Sequence, residues 1–532
     1  METRLASARA LLDDGRADEA FAEYQIVLDA FDHEPARNTA LAGQARARFE
    51  QGRFAESARL FQRAADNAED APGWRAEWLS RAADAVFASG QHAEAARMYR
   101  HVYTLFPDGA RAGEMLLRAA DAQARGGDAQ AALEGFARAA EADPALAAEA
   151  LVRQGEILAR QGEVAACAAL LETILAPGHE NTALRGRAFL AMGRAHCAAN
   201  ELEEALAAFE SAKDAAETAG EAAWLCVPVL EQLGRVDDAR EAAKKVAGAK
   251  VAGASCSQVN SNKIRERDAP TTFSRELDAP AAEARLWLLR DAYNAERFDE
   301  IPALTEAFAT ASPQDARLAA VWVWSARAAA LAGNFSNAVD VIGGLRREFP
   351  SSTELLAEGV FVQGVALLQL GRFDEAVMVF DDLVTRLPES AWTTRAWLRK
   401  GDAFYLLGAG RDEGFNAAAA AYEEALLRHD ITPAERFEAL YKNGRALERA
   451  NRAAEALALY TEGVAEPFLE LWQTGGPATG GAGEWFARAV SRAAGLLETG
   501  DAARLLESVI LHNAPGAEEA AARMKFFNPR GE

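Results

Sequence analysis

Residues Gly364 to Pro388 read GVALLQLGRFDEAVMVFDDLVTRLP. A small residue, Gly364, stands seven before a turn residue, Gly371. Gly371 is followed by Arg372, an aromatic, two acids and Ala376; Phe380 comes four after Ala376 and Pro388 eight after Phe380. Large and small residues four apart share one face of a helix. Glycine tolerates the left-handed conformation that ends a helix, and proline favours a helix boundary. The stretch therefore predicts two antiparallel helices that cross closely at their small residues.

The same phrase recurs along the chain. Turn residues fall at Gly15, Gly52, Gly90, Gly127, Gly162, Asn200, Gly234, Gly333, Gly371, Gly408, Asn451 and Gly500, and spacings of 34 to 38 dominate. A large apolar residue lies four beyond the Ala of this phrase (Ser57 in the second copy) in Tyr24, Phe61, Tyr99, Phe136, Phe209, Phe380 and Tyr460. Proline returns as Pro107, Pro144, Pro350 and Pro388. Seven before the turn stands Ala or Gly, as at Ala8, Ala45, Ala83, Gly155, Gly193 and Gly444. Such self-similarity replaces a count of globular cores by a count of stacked units.

These offsets resemble those of the tetratricopeptide repeat, in a long bacterial-type array. The units around Trp322-Ala326-Gly333-Ala338-Pro350 and Gly364-Gly371-Ala376-Phe380-Pro388 carry the resemblance best. It implies an all-α fold: a right-handed superhelix of about 12 helix hairpins. Several units exceed the usual length of about 34 residues, which implies longer helices or turns.

The array breaks between Gly234 and a weak copy at Glu296-Arg297-Phe298, a gap of 62 residues. The chain has eight lysines, and Lys244, Lys245, Lys250 and Lys263 crowd into this gap. We expect an N-terminal array over 1–246, a linker or irregular crossover over 247–280, and a C-terminal array over 281–532 with a final capping helix. A degenerate repeat with a surface loop, or a basic-loop binding site, are other accounts of 247–280. Gly408 to Gly414 lengthens one turn, and Gly475 to Gly483 is a Gly-rich connection without the Gly-Lys-Ser/Thr ending of a phosphate loop.

The 57 Lys+Arg against 80 Asp+Glu give a net charge of −23, which argues against a nucleic-acid partner. The N-terminus METRLASARALLDDGRADEA has no apolar core of a signal peptide, and no clean apolar window is long enough to span a membrane. The expectation is a soluble protein, cytoplasmic if Met1 is the native start and periplasmic if a leader was removed. The seven His form no metal pair, and Cys167, Cys197, Cys226 and Cys256 form no Cys-x-x-Cys. No nucleophile elbow, kinase set or dinucleotide fingerprint is present. We therefore expect no enzyme activity, no catalytic or metal-ligating residues and no cofactor.

The resemblance implies that the first helix of each hairpin lines a concave groove, exposing positions ten, six and three before the turn. These include Arg46, Phe49, Phe87, Arg194, Arg290, Tyr293, Arg327, Phe361, Tyr405, Tyr441 and Arg445. Arg and aromatic residues are the types enriched at interface hot spots, so these are the candidate partner-binding positions. Packing against the next repeat is the plainer role for the same rings. The Lys and Asn set of the family's carboxylate clamp is not seen, so a receptor for chaperone C-terminal peptides is not expected. The expected function is a non-catalytic scaffold or adaptor holding a peptide or protein partner of unknown identity. A cell-envelope assembly protein, or the repeat portion of a larger signalling or enzymatic polypeptide, are the alternatives.

Overall fold

The computed structural model describes residues 1–31, 34–248, 279–350, 353–408, 413–474 and 481–527. Among these residues the chain is helical, with no strand. It divides into two compact units, Met1–Ala284 and Arg285–Glu532. Most of the expected linker, 247–280, lies outside the described residues.

In the first unit the helices are α1 (Glu2–Asp13), α2 (Ala17–Ala30), α3 (Glu34–Glu50), α4 (Phe54–Asp66), α5 (Pro72–Ala88), α6 (His92–Leu105), α7 (Ala112–Arg125), α8 (Ala129–Ala142), α9 (Ala147–Gln161), α10 (Val164–Leu175), α11 (Thr182–Ala198), α12 (Leu202–Ala212), α13 (Ala216–Gln232) and α14 (Val236–Gly248). Next come α15 (Ala279–Asn294), α16 (Ile301–Ala311), α17 (Leu318–Leu331), α18 (Phe335–Glu348), α19 (Thr353–Gln369), α20 (Phe373–Arg386), α21 (Thr393–Leu407), α22 (Gly414–Leu426) and α23 (Pro433–Arg449). The chain continues through α24 (Ala453–Ala458), a π-turn (Leu459–Ala465), α25 (Glu466–Gln473), α26 (Ala482–Leu496), α27 (Thr499–Leu511) and α28 (Ala517–Phe527). Consecutive helices pack on one another as hairpins, and within each unit first helices also lie against first helices, as α9 does against α11 and α17 against α19.

The hairpin tip follows from the repeated phrase. Gly371 adopts φ +72°. Its N–H donates to the Leu368 carbonyl at 3.1 Å and that of Arg372 to Leu367 at 2.9 Å, which satisfies two otherwise unpaired carbonyls at the end of α19. Arg372 then caps α20, and its guanidinium holds the Glu375 carboxylate through bonds of 2.6 and 2.7 Å. Arg16–Glu19, Arg53–Glu56 and Arg452–Glu455 repeat the pairing. An acid in the first turn also faces the positive end of the helix dipole. This explains why Arg and Glu sit three apart in the phrase.

The small residues have a sharper role than close helix crossing. A Cβ built on Gly364 would stand 2.5 Å from the Phe380 ring, one on Gly193 would stand 2.3 Å from Phe209, and one on Gly444 2.5 Å from Tyr460. Each ring of the second helix drops into the gap left in the first. Phe380, Phe209 and Tyr460 are all fully buried there, and filling such a slot is worth about 1.5–3 kcal/mol per side chain.

Two of the expected turns differ. Gly408 has φ −60°, so no left-handed residue ends α21 there; 409–412 lie outside the described residues. Gly500 is the second residue of α27, and the chain reverses at Leu497–Glu498 instead. The weak copy at Glu296 does form a tip, with Glu296 itself at φ +57°. The final helix is observed as α28. The π-turn before α25 precedes Pro467. Proline lacks an N–H and crowds the carbonyl four residues earlier, and a wider turn relieves both.

Candidate functional site

The first helices share a face on which cations and carboxylates alternate from one repeat to the next. In the first unit Arg46 of α3 reaches Asp13 of α1 at 3.4 Å and Glu50 at 3.2 Å. Arg118 of α7 pairs with Asp84 of α5. Arg153 of α9 pairs with Asp121 of α7 at 2.9 Å, and Arg187 of α11 with Glu149 and Glu156 of α9 at 2.8 and 2.7 Å. Arg194 of α11 pairs with Glu221 of α13. In the second unit Arg327 of α17 holds Glu358 of α19 at 2.9 Å, Lys442 of α23 holds Asp402 of α21 at 2.8 Å, and Arg492 of α26 holds Glu448 of α23.

Two registers account for five of these ten bonds. A cation nine before its turn meets the acid six before the preceding turn, as in Arg118–Asp84 and Arg153–Asp121. A cation six before its turn meets an acid thirteen before the next, as in Arg194–Glu221 and Arg327–Glu358. Partly exposed pairs are worth only about 0–1 kcal/mol each. The ladder thus fixes the register of neighbouring repeats more than it stabilises them.

Behind the ladder, three buried tyrosines tie second helices to it. Tyr99 donates its hydroxyl to Asp84 at 2.6 Å, Tyr422 to Asp402 at 2.8 Å and Tyr460 to Glu448 at 2.7 Å. Each carboxylate is also held by a cation of the following first helix. Burial first, and then the adjacent carboxylate, push the three phenols above their ordinary range. Burial works to raise Glu448, but bonds from Arg492 and Tyr460 leave it below the usual carboxylate range. Glu114, where burial likewise opposes Arg111 and Arg118, is held at about 2.

The aromatic positions expected on this face divide into two groups. Phe49, Phe87, Tyr293 and Tyr405 close their own hairpin tips. They lie edge-on to Phe54 (5.2 Å), His92 (5.1 Å), Phe298 (5.8 Å) and Phe415 (5.4 Å) while keeping part of each ring in solvent. Phe361 and Tyr441 sit between repeats. Phe361 packs on Phe380 and on Trp392 of the next unit's entry. Tyr441, only 9% exposed, packs between Tyr460 and Trp485. Arg290 is exposed on α15. Arg445 donates to the Tyr405 hydroxyl at 3.3 Å.

Residues outside those positions also reach this face. Trp324 and Leu331 on α17 are 40% and 62% exposed, and with Arg327 they form one helical stripe. Their spacing of three and four was the available signal. Chemistry is sparse by comparison. Among the described residues no three of His, Cys, Asp and Glu are grouped to hold a metal ion. Cys167 and Cys226 are buried, and burial pushes both thiols up to about 11, away from the reactive thiolate. No helix among the described residues is long and apolar enough to cross a membrane.

The architecture defines a helix-hairpin repeat array. The family model for the tetratricopeptide repeat matches residues 5–72, 326–391, 361–412 and 407–467, and the helix hairpins of those segments are tetratricopeptide repeats. Such repeats generally mediate protein–protein interaction and typically form non-catalytic scaffolds. No curated protein matches the chain.

Proposed function

We propose that the protein is a non-catalytic adaptor that holds a peptide or folded partner along its first helices. One observation carries this reading: α17 leaves Trp324 and Leu331 in solvent beside Arg327 while its other faces are buried against α18 and α19. Large apolar side chains beside an Arg are the composition of an interface anchor. The proposed contact positions run from Arg46 and Phe49 through Phe87, Arg194, Arg290 and Tyr293 to Arg327, Tyr405 and Arg445. Phe361 and Tyr441 support them from between the repeats.

The test is partner capture from the native organism with Trp324→Glu/Leu331→Glu. Both side chains are exposed, so helicity is expected to be retained while capture is lost. Met378→Glu, on the second helix α20 and 69% exposed in the native chain, is the control that leaves capture intact. Undiminished capture by the first variant, or loss with the control, contradicts the reading.

A further inference from the structure

We propose that α21, α23 and α26 form a docking face for an acidic peptide segment of a partner protein. The inference rests on the reading that the first helices are the binding face, and it adds the chemistry of what binds.

The charge distribution supplies the first ground. The three first helices carry nine Arg and Lys against five Asp and Glu, a net +4 in a chain of −23. The second-helix segments of the same repeats, Gly414–Leu426, Ala453–Gln473 and Thr499–Leu511, sum to −7. Positive charge is thus gathered on one class of helix.

The second ground is which charges are already satisfied. All five carboxylates of the three helices are engaged. Asp402 is held by Lys442, Arg399 and Tyr422, and Glu435 by Arg395 at 2.9 Å. Glu438 is held by Arg399 and Lys442, Glu448 by Arg492 and Tyr460, and Glu484 by Arg488. Arg445 and Arg449 differ. They lie four apart on α23, and among the described residues neither has a carboxylate partner. Arg445 has the neutral hydroxyls of Tyr405, at 3.3 Å, and Tyr441 as neighbours, and its Nε is buried without an acceptor. Arg449 is exposed, with its guanidinium 5.8 Å from the Phe415 ring. An Arg fork that lacks a carboxylate is completed by one from outside, in a bidentate, charge-assisted pair.

The third ground is the neighbouring apolar surface. Trp485 packs on Tyr441 at 5.6 Å with the rings tilted by 35°, and Lys442 and Arg488 lie 5.6 and 5.0 Å from its ring. A half-buried indole on first helices that carry a net positive charge suits a peptide that mixes carboxylates with an apolar side chain. A nucleic-acid strand fits less well, because the five fixed carboxylates interrupt the face and repel a continuous phosphate backbone.

The test is selection of phage-displayed random peptides on the full chain, followed by affinity measurement with the synthesised winners. The expected winners are rich in Asp and Glu. Arg445→Glu/Arg449→Glu weakens them by about tenfold or more, and raised ionic strength weakens them further. Arg449→Glu alone, at an exposed site, is expected to lose several-fold with the helical spectrum unchanged. Neutral or basic winners, acidic winners indifferent to both variants, or displacement of the peptide by an equimolar single-stranded oligonucleotide overturn the proposal. Winners lost only with Trp324→Glu/Leu331→Glu overturn it while leaving the first-helix reading standing. Winners lost only with Met378→Glu, or no enrichment at all, overturn both.

Discussion

Gly364→Ala adds a single methyl group where the fold has reserved space for a ring. The new Cβ would lie 2.5 Å from Cε1 and Cζ of Phe380 and 2.9 Å from its Cδ1. Carbon atoms in good contact stand about 3.5–4.0 Å apart, so the ring or α19 must shift by roughly 1 Å. Phe380 has no free side to move into: it is fully buried among Ala376, Leu383, Val360 and Phe361. Overpacking of this kind costs about 1–3 kcal/mol. Ala in place of Gly within a helix returns about 0.5–1 kcal/mol. The net loss is about 0.5–2 kcal/mol, or amide exchange faster by roughly twofold to thirtyfold across 353–386. Native-state hydrogen exchange reads this directly and does not require two-state unfolding of a long array. The loss should fade in repeats farther along the second unit, because stability in an array passes between neighbours. Phe380→Leu in the same chain should relieve the clash, so that the double variant loses about 1 kcal/mol less than the sum of the singles. Slower exchange in Gly364→Ala, or strict additivity with Phe380→Leu, would refute the slot.

Tyr422→Phe removes a buried hydroxyl that donates to Asp402 and should cost about 1–2 kcal/mol. Tyr24→Phe, whose hydroxyl donates to no carboxylate among the described residues, should leave the denaturation midpoint nearly unchanged; equal losses would sink the tyrosine–carboxylate tie. Glu114 titrates at about 2 against an ordinary 4.5. Its contribution is therefore complete above pH 4.5 and lost as the pH falls toward 2. Glu114→Gln should lower the midpoint at neutral pH and converge with the parent near pH 2, and a constant gap across that range would count against the Arg111–Glu114–Arg118 cluster.

The fold was legible because its signals are local and repeated. The turn glycine, the Arg and Glu beside it, and the slot residue with its ring each recur at fixed offsets, so even Glu296 could be placed from Arg297 and Phe298. Gly500 misled because glycine is also tolerated in a first helical turn. There the reversal at Leu497–Glu498 uses no left-handed residue. Gly408 misled because it keeps a right-handed helical conformation, φ −60°, at the end of α21. The π-turn at Leu459–Ala465 follows from Pro467, a signal present but weak.

The candidate face was half legible. The position six before each turn is on the first-helix face, as Arg46, Arg194 and Arg327 demonstrate. Their partners were missed because each bond joins residues about thirty to forty apart, and only the register of stacked repeats brings them together. The cation nine before the turn, as in Arg118, Arg153 and Lys442, was the unread half of that pattern. The aromatic positions read as groove-facing have tip-closing and inter-repeat contacts, since a hairpin reversal and a repeat junction each need a ring to exclude water.

The most direct measurement is amide hydrogen exchange of the full chain with and without a captured partner or selected peptide. The account predicts added protection in first helices, foremost 393–407, 433–449 and 482–496, with second helices 414–426 and 499–511 unchanged. Protection confined to the second helices would contradict it.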